Sequence, residues 1–283
     1  MIPAPFEYHA PTTLDEALQL LAASDDAKVL AGGQSLLPVL KLRLAAPEVV
    51  VDLAKIEQLR GIREEGDAVV IGAMTPHHVV AEDPTVEQHA LLLAEATRTV
   101  ADPQVRHRGT LGGALVHADP AGDLLAPALS LDAELVIAGA GGATRRVAAT
   151  DFFEDLFTTA VGEDEVLTEV RIPKHTGWGA HYEKFTRVAQ QWSIVAVAAT
   201  VRSEGGTIAE ARVALTNMGS TPVRCTAVEE ALVGLSADSD RLREACAAAG
   251  RGTTPPEDTN GDADYRRHLA GVLTGRAVRA ALA

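Results

Sequence analysis

The chain has 283 residues, 47% of them hydrophobic and 23% charged, an ordinary mix for a folded protein and enough length for two domains or one large one. Its 39 acidic residues against 25 basic ones leave a formal charge of -14, which repels a phosphate backbone and argues against nucleic acid as a partner. No apolar run approaches the roughly 18–20 residues of a membrane span, and the opening "MIPAPFEYHAP" lacks the charged and apolar regions of a signal peptide, so a cytoplasmic protein is expected.

"TTLDEALQLLAAS" places Thr13 as an N-cap and Glu16 three residues later, a capping box, with Leu14, Ala17, Leu18 and Leu21 on one helical face. "KVLA" and "EVVVDL" read as short buried strands on either side of the turn and helix "GGQSLLPVLKLRL", giving an αβαβ unit that ends near Lys55. "LRGIREEGDAVVIGAM" then alternates around a Glu-Glu-Gly-Asp turn as a β-hairpin would. Thr75 and Pro76 start a helix, Val86 to Arg98 form a second amphipathic one, "DLLAPALSL" is helical and "AELVIAG" extended. A proline and two glycines in "IPKHTGWG", Ile172 to Gly179, mark the expected domain boundary. Beyond it, strands in "AHYEKFTRVA" and "SIVAVAATVRSEGGTIAEARVALTNMG" precede three helical runs, the pattern of a small antiparallel sheet carrying helices.

Two stretches carry candidate chemistry. In "KVLAGGQSLLP" the glycines Gly32 and Gly33 sit between a strand and a helix, expose backbone N–H groups, and are followed by Ser35, which can cap the helix or donate its hydroxyl outward. Such a row of donors at a helix start suits an anion such as a pyrophosphate, although on its own it equally describes a tight turn with no ligand. In "DPQVRHRGTLGGALVHADPAGDL" a hydroxyl and two glycines recur at Thr110, Gly112 and Gly113, preceded by Arg106 and Arg108 and followed by Asp119 and Asp123. Together the two loops describe a pocket for a dinucleotide reached from both sides, with Asp123 able to accept from a ribose or ring edge. Neither is the GxGxxG fingerprint of a Rossmann unit, and Asp52 carries little weight as a ribose ligand.

The order and spacing of "VLAGGQSLLPVLKLR", "ADPQVRHRGTLGG" and "HADPAGDLLAPAL" resemble the FAD-binding medium subunits of the molybdenum hydroxylases, the family of aerobic carbon monoxide dehydrogenase and xanthine dehydrogenase. The resemblance implies an α+β fold: a two-lobed FAD-binding domain of the vanillyl-alcohol-oxidase type over residues 1–176, with lobes of about 1–55 and 56–176, and a C-terminal domain over 177–283. By position, Ala31, Gly32, Gly33, Gln34 and Ser35 with the flanking Lys28, Leu30 and Leu36 would bind the pyrophosphate. Thr110, Gly112 and Gly113 would approach from the second lobe, Asp123 would contact polar groups of the cofactor, and Val100 and Leu167 would pack against it. Lys184 would lie near the flavin, where an ammonium favours the anionic reduced form; the alternative is a solvated strand lysine. Trp192 stands where relatives commonly place a tyrosine by the ring; otherwise it is a core or interface aromatic. Trp178 is assigned to packing.

No catalytic residue and no metal site are expected in the chain itself. His77 and His78 are adjacent and diverge on a helix, while His117 with Asp119 and Asp123 is better read as loop than as a ligand set. Cys225 and Cys246, 21 positions apart, cannot supply the thiolates of an iron–sulfur cluster. The resemblance therefore implies a molybdopterin-containing large subunit and an iron–sulfur small subunit as partners, in a dimer of heterotrimers. Electrons would pass through FAD to a quinone, NAD or oxygen, with peripheral attachment at the inner membrane face if the acceptor is a quinone. Two other readings stay open: a stand-alone NAD(P)H-dependent flavin reductase of the same fold, and a scaffold subunit without flavin.

Overall fold

In the computed structural model, which describes residues 2–283, the first lobe is an all-parallel unit: strand β1 (Glu7–His9), helix α1 (Leu14–Ala22), β2 (Ala27–Leu30), α2 (Leu36–Leu42) and β3 (Val49–Asp52), with the sheet order β1-β3-β2. The capping box forms with a shift: Thr13 accepts from the Glu16 N–H at 3.3 Å, and Glu16 reaches back to the N–H of Thr12 at 3.0 Å. Strand β1 is an addition to the expected αβαβ order. Its residues Glu7 and Tyr8 are exposed, so no apolar alternation announces it.

The hairpin β4 (Ile62–Glu65) and β5 (Ala68–Gly72) opens the second lobe. Five helices follow: α3 (His77–Glu82), α4 (Pro84–His89), α5 (Leu91–Arg98), α6 (Pro103–Arg108) and α7 (Leu111–His117). The single helix expected over 86–98 is two, broken at Ala90 (φ -144°, ψ 46°). The His89 carbonyl accepts from the His175 N–H at 2.8 Å, so that carbonyl is committed to a distant segment. Asp83 caps the first piece through the N–H groups of Thr85 and Val86.

After α8 (Leu125–Ser130), β6 (Glu134–Ala138) and β7 (Thr144–Ala148) join an antiparallel sheet of order β4-β5-β10-β6-β7, where β10 is Val166–Pro173; α9 (Ala149–Phe152) and the small hairpin β8 (Phe153–Asp155) with β9 (Thr158–Thr159) lie between. The C-terminal region has the antiparallel sheet β11 (Gly179–Phe185), β12 (Val195–Glu204), β13 (Thr207–Thr216) and β14 (Val223–Arg224), backed by α10 (Thr226–Leu232), α11 (Asp240–Ala247) and α12 (Ala263–Leu282). Trp178 packs edge-on against His175 beneath the Arg212 guanidinium.

The hydrophobic cluster of the second lobe includes Tyr182, Ala196, Ala198 and Ala214 of the C-terminal sheet, so one core runs through both. No helix among the described residues is long and apolar enough to cross a membrane.

Candidate cofactor site

The turn from β2 into α2 has the property the sequence pointed to. The backbone N–H groups of Gly32, Gly33, Gln34, Ser35 and Leu36 donate to nothing among the described residues. Gly33 is in the left-handed region (φ +74°), a conformation that costs a side-chain-bearing residue about 1 kcal/mol or more. Gly32 is required for a different reason: a Cβ there would overlap the Arg108 carbonyl and lie 2.6 Å from the Gly109 Cα. Ser35 does not cap α2 with its side chain, which leaves its hydroxyl free, and Gln34 folds back to donate to the Gly32 carbonyl at 3.1 Å.

The second glycine pair behaves otherwise. Leu111 donates its N–H to the Thr75 carbonyl at 3.1 Å, Gly112 to Ala73 at 2.8 Å, Gly113 to the Thr110 hydroxyl at 3.2 Å and Ala114 to the Thr110 carbonyl at 3.1 Å. These amides are all committed internally, so of the two loops only the first bares its N–H groups. Gly112 is a packing residue, since a Cβ there would stand 2.7 Å from the Ala73 carbonyl oxygen. Gly113 faces the first loop: its Cβ position lies 3.1 Å from Ala31 Cβ and 4.0 Å from the Gly32 N. The two stretches, 78 positions apart from Gly32 to Thr110, therefore meet as expected, one as donor row and the other as the wall that closes on it.

Beneath the junction, His77 donates its backbone N–H to Gly109 at 2.9 Å, and its ring would lie 2.7 Å from a Cβ on Gly109. Burial, followed by the nearby Arg106 and His78 charges, lowers its pKa from 6.5 to about 4, and its Nδ1 has no partner among the described residues. His78 instead stacks on His107 with centroids 4.1 Å apart, so the adjacent histidines do diverge. No group of three His, Cys, Asp or Glu among the described residues is placed to hold a metal ion.

A second cluster forms around Asp123, which is 6% exposed. Its carboxylate accepts from Lys184 Nζ at 2.7 Å, Ser193 Oγ at 2.9 Å and Tyr182 Oη at 3.0 Å. Burial pushes the Asp123 carboxyl above its ordinary value, while Lys184 and the two hydroxyls pull it back down. Lys184 also donates to the Thr99 carbonyl at 3.2 Å, and Arg106 to the carbonyl of Val100 at 2.8 Å. The segment 99–113 thus links this cluster to the glycine loops. Lys184 is not the solvated strand lysine of the alternative reading: its side chain is 11% exposed and paired.

Other candidates stand apart. Leu167 is in the second-lobe core, Val100 packs partly buried against it, and Lys28 is exposed on β2. Trp192 is 53% exposed, which excludes a core role and leaves it in the 187–192 loop, directly before Ser193. Tyr182, Ser193 and Asn217 were not singled out from sequence. The i, i+2 spacing of Tyr182 and Lys184 on a strand, which turns both to one face, was the one available signal. Asn217 (φ 62°) ties the cluster together by donating to the Ser193 carbonyl at 2.9 Å from its side chain and to Pro120 at 2.8 Å from its backbone.

A row of neutral donors at a strand-to-helix turn, closed by a glycine wall with no room for side chains, fits an anionic diphosphate and the cofactor that carries one. The family model described as the FAD binding domain in molybdopterin dehydrogenase matches residues 4–175, and that of the CO dehydrogenase flavoprotein C-terminal domain matches residues 180–281. The chain belongs to this family of FAD-binding oxidoreductase subunits. It is 43% identical to the carbon monoxide dehydrogenase medium chain of Hydrogenophaga pseudoflava, over 100% of this chain and 99% of that one. The solved carbon monoxide dehydrogenase from the same organism, in a form lacking the Mo-pyranopterin moiety, matches at TM-score 0.95 and 45% identity over 99% of this chain and 98% of that one. Quinoline 2-oxidoreductase from Pseudomonas putida 86 matches at TM-score 0.95 and 34% identity, over 100% and 98%.

Proposed function

We propose that this chain is the flavoprotein subunit of a molybdenum hydroxylase, with carbon monoxide dehydrogenase the favoured complex. It would work beside a molybdopterin-containing large subunit and an iron–sulfur small subunit in a dimer of heterotrimers. Bound FAD supplies the two-electron chemistry that connects the partner's clusters to a quinone, NAD or oxygen. The observation that carries the reading is the run of N–H groups from Gly32 to Leu36 without an acceptor among the described residues.

The chain's own residues bind and orient. The amides of Gly32 to Leu36 hold the diphosphate, and Gly113 closes the wall beside Ala31. Lys184, fixed by Asp123 and Thr99, places a positive charge at the second cluster. These roles of binding and orienting are what a subunit needs that moves electrons and leaves substrate chemistry to a partner. Similarity over the whole length to a carbon monoxide dehydrogenase medium chain supports the choice of complex.

The purified chain should bind one FAD and oxidise neither carbon monoxide nor NADPH by itself, gaining carbon monoxide oxidation only when co-expressed with the large and small subunits. A colourless chain that ignores added FAD would favour the scaffold reading; rapid NADPH oxidation without partners would favour the reductase reading.

A further inference from the structure

Helix α2 is apolar nearly all round, yet it lies half out of the protein. Of its seven residues, LLPVLKL, only Leu40 is buried, with Leu36 and Val39 half-buried beside it. At about 100° per residue, Leu37, Lys41, Pro38 and Leu42 share an outer arc of about 140°, and all four are exposed. A helix with apolar residues on both sides belongs in an interior. Leu44, just past the end of α2, is 75% exposed, and Arg43 donates from Nε to the Ile2 carbonyl at 3.3 Å, which brings Ile2, 79% exposed, to the same end. Single exposed apolar side chains are ordinary, whereas a run of them at one element marks a contact surface. At its other end the face reaches the donor row: Leu37 Cδ1 lies 3.0 Å from the Cβ position of Gly33.

The charge of this face says what covers it. The chain's formal charge is -14, but Lys28, Lys41 and Arg43 lie in a stretch with no Asp or Glu between Asp26 and Glu48. None of the three pairs with a carboxylate among the described residues, where the ion pair of the first lobe is His9 with Glu7 at 3.7 Å. Two copies of this chain meeting through α2 would set the same cations against each other. We propose that the outer face of α2 seats a partner chain whose own contact surface is apolar at its centre and rimmed by carboxylates. This rests on the reading of the chain as one subunit of a larger complex, in which that partner is another of its chains. The apolar side chains supply the burial, and Lys41 with Arg43 the register. A chain seated there stands beside the Gly32–Leu36 turn, so assembly and the cofactor loop share one helix.

The test co-expresses the full chain with the large and small subunits and recovers the complex through a tag on the large one. Leu42→Glu combined with Leu44→Glu should lower the amount of this chain recovered by about tenfold or more. Lys41→Glu should lower it by about threefold in about 50 mM salt and by less in about 500 mM. The isolated variants should match wild type in urea unfolding and bind FAD within about twofold of it, which separates docking from folding and from the cofactor site. Where the double variant is not recovered folded, Lys41→Glu and its salt dependence read the same face. Recovery of the double variant within about threefold of wild type, or a Lys41→Glu loss that salt does not relieve, overturns the proposal and leaves the subunit reading intact. So does an isolated wild-type chain that runs as a dimer and becomes a monomer with Leu42→Glu, since the face then seats a second copy. A wild-type chain that is not recovered with the two subunits at all overturns the subunit reading, and this inference with it.

Discussion

Two glycine pairs that look alike on paper, Gly32–Gly33 and Gly112–Gly113, have different tasks. Around the first, five consecutive amides have no acceptor among the described residues and one glycine takes a positive φ. Around the second, every amide from Leu111 to Ala114 has an acceptor, and the glycines serve close approach: Gly112 to Ala73 and Gly113 to Ala31. A glycine pair in a sequence thus reports that a side chain is excluded, and only the hydrogen-bond partners tell whether a ligand or the protein's own backbone is the cause.

The largest effects should come from the packing pair. Gly112→Ala has to displace Ala73 on rigid backbone, and thermal or urea unfolding should show a loss of about 2–3 kcal/mol. A variant as stable as wild type would mean that the second loop is not a packed wall. Of the same size is the effect at the His77 junction. In the unfolded chain this ring takes a proton near pH 6.5, while the folded ring stays neutral down to about 4. Between those values the unfolded state binds more protons, so stability is full above pH 6.5 and falls by ~3 kcal/mol on the way to pH 4. Urea unfolding across that range should show a shallower slope in His77→Phe than in wild type, the remainder coming from groups such as His117 and His175, whose burial also lowers their pKa.

Gly33→Ala tests the donor row. Strain at φ +74° and crowding by Leu37 should cost about 1–2 kcal/mol in the same unfolding assay. FAD titration should show an additional loss of affinity that Gly112→Ala, corrected for folded fraction, does not share. Thr110→Val removes the acceptor for the Gly113 N–H and should cost about 1 kcal/mol of stability. Smallest of all, Trp192→Ala in its exposed loop should leave the unfolding free energy within about 0.5 kcal/mol of wild type.

Elements with local signals were legible: the Thr13–Glu16 cap, the hairpin turning at Gly66, the apolar strands β2 and β3, and the long C-terminal helix. Strand β1 was not, because its residues are mostly exposed and pairing with β3 is a tertiary event. Nor was the break at Ala90, whose cause lies at His175. The donor row could be read because its residues are contiguous. The Asp123 cluster could not, because its members are separated by 59 to 70 positions and meet only once β11 and the turn before β12 fold over the second lobe.

Cys225 and Cys246 are both buried and free, and burial drives their thiols up to about 12 and about 11. This keeps both sulfurs in the unreactive protonated state. Alkylating reagents would accordingly find them only when the C-terminal sheet and helices open. The rate of thiol labelling in the intact chain would then serve as a built-in clock for that opening, with no probe to engineer.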